Sequence, residues 1–107
     1  MAETIDKDLI VEKVHRFARS LKEHQMKVWR MYLFGSYAKG TFHRYSDIDV
    51  AVFLDQDDID GFDEEVMMMK LRRGIDIDIE PHAFARTDFD ETDPLIHEIV
   101  RTGERII

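Results

Sequence analysis

Two aspartates one residue apart, Asp47 and Asp49, follow Phe34-Gly35-Ser36 after a ten-residue spacer. In extended chain, side chains two apart point to one side, so both carboxylates share a face. Two carboxylates on one face make a hard, oxygen-rich site suited to Mg²⁺ that is also held by triphosphate oxygens. Gly35 lets a strand end turn sharply and lets backbone approach a ligand closely. Ser36 then opens a helix whose hydroxyl and free amides can cradle phosphate. Cradle and metal pair, brought together from neighbouring segments, suit phosphoryl or nucleotidyl transfer. Either half alone is commonplace, as a turn or a solvated strand face. Their joint spacing is what singles them out.

A third acidic segment follows at Ile75–Glu80, reading IDIDIE. Strict alternation predicts a strand there, with Ile75, Ile77 and Ile79 on one face and Asp76, Asp78 and Glu80 on the other. Pro81 is expected to end it. Three like charges in a row repel unless solvent or a cation compensates them. Placed beside Asp49, one of them would be a further metal ligand or the base. Lys39, His43 and Arg44 lie between cradle and carboxylates and could touch phosphates or a base, although surface loops carry such residues routinely. His82 falls near the site, where a structural or solvated role is the commoner one.

The elements that must position these groups follow from periodicity. Residues 5–25 form an amphipathic pattern, with Ile10, Val14, Phe17 and Leu21 at steps of three and four. Lys27–Phe34 is rich in β-formers and predicts a buried strand, followed by a short helix from Ser36 to about Gly40. Ile48–Leu54 is a second strand. Asp57 or Asp58 would cap a helix through about Leu71, although Gly61 blurs its start, and Gly74 stops it. Asp93-Pro94 is a helix start with its apolar face at Leu95, Ile96, Ile99 and Val100. Glu104–Ile107 adds a short edge segment. The fold expected is α/β (α+β): one small mixed sheet backed by helices, in a single domain over residues 1–107. Met67, Met68 and Met69 are consecutive in a helix and cannot share one buried face, which points to a protein interface and leaves a homo-oligomer open.

Composition narrows the partners. The chain of 107 residues carries 23 acids against 15 bases, a formal charge of −8. That balance argues against nucleic-acid duplex binding, which needs a basic face. A phosphate-bearing ligand would bind through a divalent cation. The absence of cysteine excludes disulfides, thiolate catalysis and thiolate metal sites. No signal peptide or membrane-spanning run is read, so a cytoplasmic protein is expected.

The pattern Phe34-Gly35-Ser36, ten residues, then Asp47-Ile48-Asp49-Val50 resembles the nucleotidyltransferase superfamily. That superfamily includes DNA polymerase β, kanamycin nucleotidyltransferase and the minimal nucleotidyltransferases of prokaryotes. The resemblance implies that Asp47 and Asp49 bind two Mg²⁺ ions and that Gly35 and Ser36 hold the phosphates of ATP or another nucleoside triphosphate. It also implies a third acid that activates the attacking hydroxyl and completes the metal site. Asp76 is the first choice for it, Asp78 the next, and Glu80 the last. Nothing is expected beyond the catalytic core. Stand-alone members of this kind are commonly antitoxins paired with a small helical HEPN-type ribonuclease, and some attach AMP to that partner. The alternative is a non-catalytic binding module that keeps the fold and neutralises its partner by covering it.

Overall fold

The computed structural model describes residues 7–42 and 46–107. His43 and Arg44 lie outside the described residues. The order is α1 (Lys7–Glu23), β1 (Val28–Phe34), α2 (Ser36–Lys39), β2 (Ile48–Leu54), α3 (Phe62–Leu71), β3 (Ile79–Ala85), α4 (Pro94–Thr102) and β4 (Glu104–Arg105). The strands form a mixed sheet in the order β3-β2-β1-β4. β1 runs antiparallel to β2 and to β4, whereas β2 and β3 are parallel. The α3 crossover between β2 and β3 is what a parallel pair requires.

Each face of the sheet has its own core. On one, Leu33, Val50, Val52 and Ile79 pack against Val14, Phe17 and Leu21 of α1 and Met68 of α3. On the other, Tyr32, Ala51 and Phe53 meet Ile96 and Ile99 of α4, with Trp29, Phe84 and Phe89 around them. The α1 periodicity is satisfied, since Ile10, Val14, Phe17 and Leu21 are all buried. Asp93 caps α4 by accepting from the Leu95 N–H, with Pro94 as its first residue. Of the consecutive methionines Met68 is buried, while Met67 and Met69 are exposed.

Two expected boundaries move. Helix α3 begins at Phe62 rather than at Asp57 or Asp58. Gly61, with φ +89°, makes the turn into it, and the Glu64 side chain accepts from the Gly61 N–H at 3.1 Å. The third strand begins at Ile79, not Ile75, and runs through Pro81 to Ala85. Residues 72–78 form a 3₁₀ turn and the bend after it. Here the Asp76 carboxylate accepts from its neighbour's backbone, Asp78 N–H, at 2.8 Å. An aspartate bonding its own chain two residues on competes with strand pairing, so the alternating pattern does not become a pleat. Ile77 is left 69% exposed.

Pro81 fits inside β3 because β3 is an edge strand. The Ala83 N–H points away from β2 and donates to Glu65 Oε2 of α3 at 2.9 Å. Pro81, two residues earlier, has its nitrogen on the same outward side, so its missing N–H costs no ladder bond.

Asp76 also binds Lys13 Nζ of α1 at 2.8 Å. Burial raises the Asp76 pKa, but hydrogen bonds from Lys13 and the Asp78 N–H, with the lysine charge, outweigh it and hold it below its ordinary value. A lowered folded pKa adds stability above the unfolded value, and that stability is lost as pH falls through the folded one. Asp76→Asn should therefore lose about 1 kcal/mol at pH 7. Urea melts at falling pH should show the gap between the two proteins closing once Asp76 is protonated.

Candidate functional site

The site forms where β1 ends and β2 and β3 begin. Phe34 pairs with Asp49, and Asp49 pairs with Glu80. Cross-strand partners share a face, so Asp49 and Glu80 stand side by side on the face that α4 covers. Asp47 lies just before β2 and is exposed. Its carboxylate is close enough to act on Glu80. That proximity, burial and the charges of Asp47 and Asp49 raise the Glu80 pKa, against a smaller lowering by His82. Like charges beside it disfavour the ionised form of Glu80.

Gly35 closes the site from the β1 side. Its backbone, φ +75° and ψ −149°, occupies a region open essentially to glycine alone. A Cβ there would lie 2.5 Å from Asp49 Oδ2. The turn between β1 and α2 thus runs directly against the Asp49 carboxylate, with Ser36 as the first residue of α2. His82 approaches from β3, its Nε2 3.5 Å from Asp49 Oδ1. This contact raises the His82 pKa, burial opposes it, and the charges of Asp49, Glu80 and Glu65 add to the rise.

The other expected site residues go elsewhere. Asp76 is engaged by Lys13 on the α1 side, and Asp78 gives its backbone carbonyl to the Ile48 N–H at 2.9 Å. Both acids act on buried Tyr37, whose pKa is raised by burial first and then by Asp78 and Asp76, against Lys13. The expected alignment of Asp76, Asp78 and Glu80 on one strand face is therefore corrected, because only Glu80 lies in the pleated strand. Lys39 pairs with Glu98 of α4 at 2.9 Å, which ties α2 to α4. Glu80 was legible as a candidate, but its rank depended on where the strand began.

The donor set is of the kind a hard divalent cation takes: carboxylate oxygens from exposed Asp47 and half-exposed Asp49 and Glu80. Among the described residues no three His, Asp or Glu side chains are set to hold a metal ion. A cation here would complete its shell with phosphate oxygens and water, the usual habit of Mg²⁺.

A mixed sheet that gathers acids at its strand ends beside a Gly-Ser turn defines the nucleotidyltransferase class. Residues 16–107 match the family described as Polymerase beta, Nucleotidyltransferase, and the chain belongs to that family. Over 66 residues it is 38% identical to the protein adenylyltransferase MntA of Shewanella oneidensis, covering 62% of this chain and 47% of that protein. The chain thus spans about half the length of this curated relative. A crystal structure of a toxin–antitoxin with AMP-PNP is similar with a TM-score of 0.63 at 26% identity, covering 91% of this chain and 72% of that one. A mutant of the MntA–HpeT toxin–antitoxin gives 0.61 at 21% identity, covering 96% and 73%, and supports the fold alone. Among the described residues no helix is long and apolar enough to cross a membrane.

Gly35→Ala should cost about 2 kcal/mol for the backbone conformation alone, and more as its Cβ displaces Asp49. Gly40 also has positive φ, +76°, but open space around it, so Gly40→Ala should cost about 1 kcal/mol. Thermal melts of the two variants should rank them in that order.

Proposed function

We propose that this chain transfers a nucleoside monophosphate, with AMP as the leading case, from a nucleoside triphosphate to a hydroxyl on a partner protein. The observation that carries the reading is the meeting of Asp47, Asp49 and Glu80 beside the Gly35-Ser36 turn. Asp47 and Asp49 are the ligands for Mg²⁺, which supplies charge stabilisation for the transferring phosphoryl group and the departing pyrophosphate. Glu80, rather than Asp76 or Asp78, is the third acid. It stands opposite Asp49 in the β2–β3 ladder, where it would take the proton of the acceptor hydroxyl. Gly35 and Ser36 bring backbone amides and a hydroxyl to the phosphates. The hydroxyl oxygen bonds to the α-phosphorus, the bond from that phosphorus to the bridging oxygen breaks, and pyrophosphate leaves.

The relatives guide the choice of acceptor. The protein adenylyltransferase and the toxin–antitoxin with AMP-PNP among them support an antitoxin role, and the partner we assign is a small helical toxin of HEPN type. One observation favours a second reading, binding without chemistry. Helix α3 presents Phe62, Met67 and Met69 to solvent, a surface that could cover a partner on its own.

Label transfer from α-³²P ATP with Mg²⁺ into a lysate containing the natural partner separates the two. A labelled protein band should form with the wild type and fall by about 100-fold or more in Asp47→Asn, Asp49→Asn and Glu80→Gln, the loss of several kcal/mol of transition-state stabilisation. An unlabelled partner that still binds all four proteins would favour the second reading.

A further inference from the structure

We infer that His82 is a positioning residue for Asp49: its Nε2–H donates to Oδ1 and holds the carboxylate in one orientation at the cation site. The inference rests on the proposed transfer reading, since it assigns a role within that same site.

Three features of the fold converge on Asp49. The turn at Gly35 lies against Oδ2, where even a methyl group would come within 2.5 Å. His82 Nε2 stands 3.5 Å from Oδ1. The imidazole is itself steadied, because its ring packs at 5.4 Å from the Phe34 ring with a 59° tilt, and Phe34 is the β1 partner of Asp49. The two oxygens are thus constrained separately, one by backbone of the first strand's end and one by a ring from the third strand.

The pleat explains the reach of His82. It lies two residues beyond Glu80, on the same face, and pairs with Ala51, which is two beyond Asp49. The residue opposite the ring is thus a small one. The nearby lysines have other engagements, Lys13 with Asp76 and Lys39 with Glu98. Among the described residues, His82 is the side-chain donor that reaches Asp49. A carboxylate whose orientation is already set loses less freedom on taking a cation, and partners of this kind sustain metal affinity.

The test uses Mn²⁺ as an EPR probe on the whole chain, titrated into wild type, His82→Leu, His82→Gln and Asp49→Asn. Leucine keeps the packing on Phe34 but has no donor. Glutamine can place an amide N–H near the position of Nε2. Weakening of Mn²⁺ binding by about tenfold in His82→Leu, with an unchanged melting temperature and recovery in His82→Gln, is the expected result. Wild-type affinity in His82→Leu, with loss in Asp49→Asn, would overturn the inference and leave the site reading standing. Wild-type affinity in Asp49→Asn would overturn both. Should His82→Leu not fold, imidazole ¹⁵N NMR of the wild type decides: a protonated Nε2 perturbed in Asp49→Asn supports the assignment, and a bare Nε2 removes it.

Discussion

Carboxylates that repel one another have to be held close together, and the parallel register between β2 and β3 is what holds them. Asp49 lies opposite Glu80 in that ladder, and Asp47 enters just ahead of it. A slip of one residue would turn Glu80 toward the buried α1 face and Ile79 toward the acids. The register is secured by burial on the far side, where Ile48, Val50 and Ile79 are withdrawn from solvent. The apolar core therefore provides the stability against which the charge crowding is set. The raised Glu80 pKa is the residue of that opposition.

The same logic explains the arrangement of helices. Helices α1 and α3 close one face of the sheet, so no polar group of the site needs to pass through them. Helix α4 closes the other face only in part. Its residues Ile96 and Ile99 pack with an aromatic cluster built on Tyr32, Phe53 and Phe89, while the strand ends carrying Asp49 and Glu80 remain half-exposed. The Lys39–Glu98 pair links α4 to the short helix that follows the Gly-Ser turn. Ligand access and structural closure are thus divided along the length of one face.

Edge strand β3 shows how a site can be built on a border without inviting further pairing. Glu65 occupies the outward Ala83 N–H, and Pro81 removes another outward donor. Both devices blunt the edge against a second strand, and neither disturbs the inward ladder to β2 that sets the site.

Much of this was legible in the chain. The helical face of α1, the strands at 28–34 and 48–54, the Asp93-Pro94 start of α4 and the pairing of Gly35-Ser36 with Asp47 and Asp49 all follow from local periodicity and turn chemistry, which act over a few residues. The start of the third strand did not follow. The stretch 75–80 alternates as a strand should, and Pro81 reads as its end. The first part instead bends under the Asp76 contacts with the Asp78 N–H and with Lys13, 63 residues away. Pro81 survives in the strand only because β3 falls at the sheet edge. Strand order and long-range ion pairs are properties of the packed chain, and no local spacing encodes them. The sequence by itself determined the Gly35-Ser36 turn and the Asp47 and Asp49 pair that precedes and opens β2, because these depend on residue type and short-range geometry. Only the tertiary structure decided that Glu80 stands with Asp47 and Asp49, and that His82 reaches Asp49 from beside it, because both depend on the register of strands distant in the chain.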